Sequence, residues 1–270
     1  MIRFRVIGSG SSGNATLVEA GATRLLLDAG LGPRELAERL QDAGVDPASI
    51  DAIFLSHEHG DHARGCASFA RKWGARIKGT RGTYAAAGLG AEEIPGYDVV
   101  VPGVPVAVGG VSVTAVRVPH DAAEPVAFVV EKGGVAFGHA TDFGHFDAAL
   151  VQAFRPCRAV LMESNYDPAM LRDGPYPWSL KERILSPLGH LANGDVARWM
   201  NTGLGDACTD VVLGHLSQKN NHPELVEMTA DAALSRAGRR EVRVTISGPE
   251  GTGWIEVSGA PVPSAQLRLF

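Results

Sequence analysis

The stretch DAIFLSHEHGDH places three histidines and one aspartate within six positions, directly after a buried strand. His57 and His59 are two residues apart, so in an extended chain their side chains project to the same side and can chelate one metal ion. Gly60 allows a sharp turn, after which Asp61 and His62 begin a helix and point back towards the same place. Imidazoles together with a carboxylate form a ligand set that suits Zn²⁺, and also Mn²⁺ or Fe. The stretch therefore predicts a metal site.

Three further candidate ligands each follow a separate β-rich run later in the chain. His120 follows VSVTAVRVP, Asp142 follows VAFGHAT, and His215 follows TDVVLG. Because each lies at the end of such a run, we expect all three to gather with the first motif at one edge of the sheets. His139 competes with His120 as the third histidine of the site, but in an extended chain His139 and Asp142 face opposite sides. We therefore favour His120 and expect His139 to lie beside the core.

Strands and helices in a mixed order must bring these residues together. Strands are predicted at 2–7, 14–19, 23–28, 52–55, 98–101, 104–108, 111–117, 125–131, 134–138, 158–163, 209–213, 241–246 and 253–257. Helices are predicted at 33–43, 61–73, 147–154, 178–186, 192–202 and 222–236. A β-rich first part followed by alternating helix and strand predicts one α/β unit whose sheets are covered by helices.

The opening segment GSGSSG, from Gly8 to Gly13, fits the dinucleotide-binding pattern G-x-G-x-x-G, and Asp28 follows at the end of LLLD. That pattern needs a helix after its last glycine, because the helix N-terminus holds the pyrophosphate. Residues 14–28 instead favour strands and show no helical period. We therefore expect no dinucleotide cofactor. The glycines are interpreted either as a tight turn or as a loop whose N–H groups and hydroxyls hold a phosphate oxygen.

The composition excludes several classes of protein. Charged residues make up 20% of the 270 residues and the net charge is −5, so a bulk basic surface for nucleic acid is absent. Three cysteines without a CxxC pair predict neither a disulfide framework nor a thiolate zinc site. No apolar run reaches transmembrane length, and the N-terminus lacks the apolar core of a signal peptide. We therefore expect a cytoplasmic protein with no membrane partner, while monomer and homodimer both stay open.

The motif HEHGDH resembles the HxHxDH signature of the metallo-β-lactamase fold. Six segments, taken together, are similar to one bacterial branch of that fold, the WalJ/YycJ-type exonucleases, and more distantly to ribonuclease Z and cyclic-phosphate phosphodiesterases. The segments are GSGSSGNATLVE, LSHEHGDHARG, VPHDAAEPVAFVV, ATDFGHF, MESNYDPAML and LGHLSQKNN. The similarity extends from about residue 8 to 221. One departure is visible in GHLANGD, where Ala192 replaces the usual serine.

This resemblance implies a four-layer αββα metallo-β-lactamase sandwich, a single domain over residues 1–270 in which 222–270 complete the fold with a helix and strands. It also implies two divalent ions, Zn²⁺ or Mn²⁺ with Fe as a further choice. One ion would be held by His57, His59 and His120. The second would be held by Asp61, His62 and His215, with Asp142 bridging both ions.

The implied reaction is phosphodiester hydrolysis, most specifically 5′→3′ digestion of DNA rather than RNA. Paired ions activate a water that attacks phosphorus. Asp61 would orient this water, and His190 would protonate the leaving group, unless it only caps helix 192–202. The side chains expected to contact substrate are Ser9, Ser11, Asn14, Asn165 and Asn220.

Several neighbouring residues have roles that the sequence leaves open. Asp28 either orients a ligand histidine by accepting its other N–H or is a plain strand-end aspartate. Glu163 and Asn221 are expected near the site, in contact with substrate or with a ligand. His145 is expected near Asp142, and His222 is expected to cap the last helix.

A small-molecule hydrolase of the same fold, acting on a cyclic phosphodiester, a lactone or a thioester, is the alternative function. A basic groove would favour nucleic acid and would bind it with a steep salt dependence. A narrow apolar pocket would favour the alternative. The side chains that could line such a groove are Arg34, Arg64, Lys72, Lys78 and Arg81.

Overall fold

Two seven-stranded sheets form the centre of the computed structural model, which describes residues 1–91 and 94–259. The first sheet contains β1 (Ile2–Gly8), β2 (Ala15–Ala20), β3 (Thr23–Leu27), β4 (Ala52–Phe54), β5 (Arg76–Gly79), β6 (Tyr97–Val99) and, beside β1, β14 (Ile255–Val257). The second contains β7 (Val106–Val108), β8 (Val111–Arg117), β9 (Val126–Lys132), β10 (Val135–Ala140), β11 (Ala159–Glu163), β12 (Asp210–Gly214) and β13 (Arg243–Ile246).

Each sheet begins with antiparallel hairpins and continues with parallel strands. In the first sheet β1, β2 and β3 are antiparallel neighbours, whereas β3 to β6 are parallel. In the second sheet β7 to β10 are antiparallel neighbours, whereas β10 to β13 are parallel. The carboxyl ends of β3, β4, β8, β10, β11 and β12 therefore collect at one edge, where α/β sheets commonly bind ligands.

A hydrophobic core fills the space between the two sheets. Phe4 of β1 stacks on Phe137 of β10 with ring centroids 4.0 Å apart, and Phe54 of β4 meets Phe128 of β9 edge to face. All four rings are completely buried. Aromatic pairs of this kind stabilise the fold beyond their buried area, by about 0.5–1.5 kcal/mol each. The two sheets are thereby joined into one unit.

Helices cover the outer faces and complete the four layers. They are α1 (Pro33–Asp42), α2 (Gly60–Ala63), α3 (Cys66–Trp73), α4 (Arg81–Ala86), α5 (Ala148–Phe154), α6 (Pro168–Asp173), α7 (Trp178–Leu185), α8 (Asn193–Thr202) and α9 (Pro223–Ala237). Buried side chains of α1 and α3 pack on the first sheet, and those of α5, α8 and α9 on the second. The predicted αββα sandwich is confirmed. No helix among the described residues is both long and apolar enough to cross a membrane.

One predicted helix was wrong, since residues 61–73 form α2 and α3 with a break at Gly65. The amide of Gly65 donates to the carbonyl of Ala29 at 2.9 Å. A Cβ at this position would lie 2.1 Å from the carbonyl oxygen of Leu31. The chain must therefore bend closely around residues 29–31, which ends α2 and starts a new helix.

Three short elements were missed: β5, α4 and α6. The remaining elements lie close to their predicted positions, and the C-terminal part contributes α9, β13 and β14 as expected. The predicted extension of the domain to residue 270 passes beyond Gly259, outside the described residues.

Candidate metal centre

Three residues at the carboxyl edge of the sheets have left-handed backbone conformations. They are Asp28, Asp142 and His215, with φ angles of 63°, 59° and 52°, and they are the only non-glycine residues with positive φ in the described part of the chain. Such a backbone is strained for these residue types, and strain of this kind concentrates at functional sites. Asp28 and His215 directly follow β3 and β12, and Asp142 comes two residues after the end of β10, so all three lie where strands end at the edge of the sheets.

The first group of ligand atoms belongs to His57, His59 and His120, and these atoms lie within 4.8 Å of one another. The three ring centroids are 4.7–5.0 Å apart. His120 donates from Nδ1 to the carbonyl of Leu188 at 3.1 Å, which leaves Nε2 free, 3.3 Å from His59 Nδ1. The Nδ1 of His57 donates to Ser56 Oγ at 2.9 Å, which leaves Nε2 free. The free nitrogens of His57 and His120 can thus bind a cation together with His59.

The second group contains Asp61, His62, Asp142 and His215. One oxygen of Asp142 lies 2.5 Å from His62 Nε2 and the other lies 2.5 Å from His215 Nδ1. Asp61 Oδ2 is 3.5 Å from His62 Nε2 and 3.4 Å from His215 Nε2. Asp142 is also 3.4 Å from His57 Nε2. Asp142 therefore lies close to a histidine of the first group as well as to both histidines of the second.

Unpartnered polar atoms test whether these residues fit a metal ion. His57 Nε2 is buried without a hydrogen bond, and so is Asp142 Oδ1, whose close approach to His215 lacks hydrogen-bond geometry. Buried polar groups without partners cost free energy, and native structures contain few of them. A divalent cation between the two groups would satisfy both atoms, and the nitrogen and oxygen donors suit Zn²⁺ or Mn²⁺. The residues therefore fit a metal centre.

The charges at the centre hold Asp142, Asp61 and His57 in their metal-binding forms. Burial raises the pKa of Asp142, but His215 and His62 outweigh this and hold it well below its usual range. Burial also raises the pKa of Asp61, and hydrogen bonds from His215 and His62 lower it overall. Burial lowers the pKa of His57 well below its usual value. At neutral pH both carboxylates are thus ionised and His57 is neutral, as metal binding requires. Burial lowers the pKa of His62 and of His215, but the attraction of Asp142 outweighs this and holds both well above their usual range, so these two rings must lose a proton when a metal ion binds.

Asp28 fixes the orientation of one candidate ligand, His62, through a hydrogen bond. Its Oδ2 accepts a hydrogen bond from His62 Nδ1 at 2.8 Å, and both its oxygens accept from Ser56, one from the amide and one from the hydroxyl, each at 2.8 Å. His62 therefore presents Nε2 to Asp142. Of the two roles left open by the sequence, the structure places Asp28 on a ligand histidine, an arrangement that raises the basicity of the ligand.

Glu163 is a completely buried carboxylate at the end of β11 that organises the other side of the centre. It accepts from the amides of Asp142 at 2.9 Å and Leu191 at 2.6 Å. Its Oε2 lies 3.1 Å from Nδ1 of both His190 and His215. The sequence indicated Glu163 only as a contact of substrate or ligand, and a carboxylate at the end of a parallel strand was the available signal.

His190 lies inside the site, beside the ligands. Its Nδ1 faces Glu163 at 3.1 Å and Asp142 at 3.4 Å, and its ring is 18% exposed towards a cavity. Burial lowers the pKa of His190, but the attraction of Glu163 and hydrogen bonds to Asp142 and Glu163 raise it to about 9. Helix α8 begins three residues later and receives no hydrogen bond from this ring. The simple capping role is therefore excluded.

The glycine-rich opening loop forms hydrogen bonds with two of the candidate metal ligands. Ser9 Oγ accepts from the amide of His215 at 2.8 Å, and the amide of Asn14 donates to the carbonyl of Asp61 at 2.7 Å. Asn14 Nδ2 is 3.2 Å from the Asp61 carboxylate. Gly13 has a φ of 155°, and a Cβ there would lie 2.9 Å from the Gly30 carbonyl. Both Ser9 and Asn14 are buried, so direct contact of these two side chains with substrate stays a prediction.

A cavity of about 250 Å³ opens over the centre. It is lined by Ser11, His59, Asp61, Asp121, Asp142, Asn165, Tyr176, Leu180, Arg183, Ile184, Gly189, His190, His215 and Ser217. Ser11 and Asn165 thus lie where a substrate would bind, and Asn165 also donates to the carbonyl of His215 at 2.8 Å. Their contact with substrate stays a prediction.

Asn220, predicted to contact substrate, faces the interior in this structure. Its side chain is completely buried, donates to Ser217 Oγ at 3.3 Å and lies outside the cavity lining. Asn221 is also buried, and donates to the carbonyl of Ser164 at 2.9 Å and to Asn193 Oδ1 at 2.9 Å. These two amides hold the loop after β12 rather than line the cavity.

The remaining histidines lie outside the two ligand groups. His139 is buried between the sheets with Nε2 3.3 Å from Thr16 Oγ1, and burial lowers its pKa to about 4. It does not compete with His120 in this structure. His145 donates to the carbonyl of Pro187 at 2.9 Å, and His222 occupies the N-cap position of α9 without a capping hydrogen bond from its side chain.

The five cations proposed for a basic groove do not line the cavity. Arg34 pairs with Glu38, Lys78 pairs with Asp98, and Lys72 lies over the ring of Trp73. Arg183 is the single lysine or arginine in the cavity lining. It is bound to Asp121, with Nε 2.5 Å from Oδ2, and its side chain is 52% exposed. No motif around Arg183 indicated a role for it.

Comparison with known proteins decides the family. The model of the beta-lactamase superfamily domain matches residues 23–233. Exodeoxyribonuclease WalJ of Streptococcus pneumoniae is 34% identical over 239 residues, which cover 87% of this chain and 89% of that protein. The chain belongs to the beta-lactamase superfamily and, within it, to the WalJ/YycJ family. The resemblance noted in the sequence is thereby confirmed.

Two further proteins extend this family assignment. Exodeoxyribonuclease YycJ of Bacillus anthracis is 33% identical over 239 residues, covering 88% of this chain and 90% of that protein. The metallo-beta-lactamase fold protein YhfI from Bacillus subtilis superposes with a TM-score of 0.73 at 16% identity, covering 92% of this chain and 96% of that structure. At 16% identity, the similarity to YhfI supports only the fold of this WalJ/YycJ-family chain.

Proposed function

We propose that this WalJ/YycJ-family protein is a metal-dependent phosphodiesterase and, more narrowly, a DNA exonuclease that uses two divalent ions, Zn²⁺ or Mn²⁺. The observation that carries the proposal is the position of Asp142, which reaches both ligand groups at one sheet edge. The names of WalJ and YycJ as exodeoxyribonucleases support DNA as substrate. The 5′→3′ polarity rests on the resemblance alone.

The residues divide into two binding sets with one shared ligand. His57, His59 and His120 would hold one ion. Asp61, His62 and His215 would hold the other, and Asp142 would be shared by both. When bound, such a pair of ions supplies an activated water and stabilises the negative charge that develops on a phosphate under attack.

Two side chains of the chain itself can direct proton movement. Asp61 is 24% exposed and faces the cavity, so its carboxylate can orient the attacking water. His190 turns Nδ1 towards Glu163 and Asp142, which leaves Nε2 to face the cavity. From Nε2, His190 can donate a proton to the leaving ester oxygen as the phosphorus–oxygen bond breaks.

One observation favours the alternative of a small-molecule hydrolase. The cavity is small, and Leu180 and Ile184 give part of its wall an apolar surface. A cyclic phosphodiester, a lactone or a thioester would fit such a space. Arg183 at the cavity favours an anionic substrate among these classes.

A cytoplasmic location stays a prediction, supported by three buried cysteines that are all unpaired.

A panel of substrates separates these functions. Wild-type protein with Mn²⁺ or Zn²⁺ is incubated with 5′-phosphorylated single-stranded and double-stranded DNA, an aryl phosphodiester and a thioester. An Asp61→Ala/His62→Ala variant serves as the control. We expect progressive release of nucleotides from DNA by the wild type and none by the variant. If the thioester or the aryl phosphodiester is turned over and no nucleotide is released from DNA, the protein is the alternative, a small-molecule hydrolase.

A further inference from the structure

The wall of the cavity that is not built from metal ligands is apolar and partly aromatic. It consists of Tyr176, Leu180 and Ile184, whereas the remaining lining is dominated by histidines, carboxylates and small polar side chains. Leu180 and Ile184 are four residues apart on α7 and so share one helix face. Phosphodiester hydrolysis uses none of these three side chains. Their placement beside a metal centre therefore indicates recognition of another part of the substrate.

The position of Tyr176 is fixed before any ligand binds. Lys181 is only 8% exposed, and its Nζ donates to the carbonyls of Arg172 at 2.7 Å and Gly174 at 2.8 Å. A Cβ on Gly174 would lie 2.5 Å from Asn220 Oδ1, so the loop before Tyr176 is packed tightly against the segment after β12. These contacts hold the loop from both sides, and a preorganised side chain binds with a smaller loss of entropy.

The Tyr176 side chain is half-buried and lies between the core and the cavity. It packs against the small buried cluster of Tyr166, Leu171, Ile184 and Ala192, and it also lines the cavity. Bases of single-stranded nucleic acid stack on aromatic side chains in this way, because every base offers a flat π-face. A ring supported from behind can accept such a base without moving.

The size of the cavity limits what can be recognised there. Its volume of about 250 Å³ lies just below the range of about 300–1,000 Å³ that is typical of pockets for drug-sized ligands. A base pair is larger than one nucleotide, so a cavity of this size favours a single nucleotide. A strand end would therefore have to leave its partner strand, as in enzymes that extrude a base from a duplex before acting on it.

We infer that the wall formed by Tyr176, Leu180 and Ile184 is a subsite for the base of the nucleotide at the strand end, with Tyr176 as the stacking residue. This inference rests on the proposed function, since it names the part of a DNA strand that the same cavity accepts. With one base against Tyr176, the neighbouring phosphate lies at the metal centre, and hydrolysis releases one nucleotide at a time.

A double-mutant cycle between protein and substrate tests the subsite. Wild type and Tyr176→Ala are compared on a 5′-phosphorylated single-stranded oligonucleotide and on copies with an abasic residue at the first or the last position. The measurement is kcat/KM for release of the first nucleotide. We expect the abasic residue at the attacked end to lower kcat/KM of the wild type about tenfold. Tyr176→Ala should lose about tenfold on intact DNA and lose nothing further on the abasic copy.

Two variants control the interpretation. Tyr176→Phe keeps the ring and should stay within about twofold of wild type. Trp178→Ala removes a neighbouring aromatic side chain that is 63% exposed and outside the cavity lining, and should match wild type. Equal activity of wild type on intact and abasic ends, or additive losses in the cycle, would overturn the subsite alone. A wild type that releases no nucleotide from any DNA would overturn the proposed function and the subsite with it.

Discussion

The two walls of the cavity are built in different ways. The metal-ligand wall consists of buried side chains at strand ends. Three of these side chains are held in place by a strained backbone conformation or by a second carboxylate. The opposite wall comes from the loop before α7 and from α7 itself, and near it Trp178, Leu185 and Leu188 are exposed. We therefore expect the chemistry to depend on residues fixed by both sheets, and selection among substrates to depend on one helical segment. Substitutions in the first wall should change metal binding or kcat, and substitutions in the second should change KM.

The largest effect is expected at His190, on the side of the metal-ligand wall. Replacing it by alanine removes the proton donor, and we expect kcat on DNA to fall about 10²–10⁴-fold. A substrate with a 4-nitrophenolate leaving group needs no proton, so its turnover should fall far less. The two turnover rates and the bound metal are measured side by side. His222→Ala, which changes an exposed histidine without a capping bond, is the matched control. Equal losses on both substrates would remove His190 from the role of acid.

A smaller effect is expected at Asp28, behind the same wall. Asp28→Ala leaves His62 Nδ1 without its acceptor and should weaken metal affinity by about 10–100-fold. Titration with Zn²⁺ or Mn²⁺ measures this affinity, and excess metal should restore part of the activity. Asp51→Ala is the control, because this carboxylate accepts from the Arg24 amide at the opposite end of β4. Unchanged affinity in Asp28→Ala would show that Asp28 does not position the ligand.

The smallest effect is expected at Arg183, on the substrate-selecting wall. Arg183→Ala should raise KM for DNA, leave metal content unchanged, and reduce the slope of log KM against log salt by about 0.7–0.9, the loss of one phosphate contact. Kinetics at several salt concentrations provide the slope. Arg172→Ala, an exposed arginine outside the cavity lining, is the control. An unchanged slope would show that Arg183 does not bind a phosphate of the substrate.

The metal-ligand wall could be predicted because its signals are local. His57, His59 and His62 belong to one short motif, and Asp142 and His215 stand at the ends of recognisable strands. A residue at the end of a strand lies at a known edge of the sheet, and this does not depend on which residues surround it. Contacts between residues far apart in the chain have no local sequence pattern. The sequence therefore did not reveal that Glu163 contacts both His190 and His215.

The role of the substrate-selecting wall could not be predicted for the same physical reason, although α7 lies close to its predicted position, and the helix before it, α6, was missed. Helix α6 has only six residues, too few for a hydrophobic period, and the missed segment is followed by Gly174, Pro175 and Pro177, which indicate a loop. Asn220 shows a further limit of local signals. An amide after a strand end has the same sequence signal whether it faces the cavity or, as here, the interior.

The most direct test of the dinuclear centre measures bound metal and nucleotide release together. Wild type and Asp142→Ala are stripped with a chelator and titrated with Mn²⁺ or Zn²⁺ in the presence of 5′-phosphorylated DNA. We predict that wild type binds two ions per chain and releases nucleotides only when both are bound. Asp142→Ala should bind fewer than two ions and release none. Full activity of wild type with one ion, or a fully active Asp142→Ala variant, would contradict the two-ion assignment.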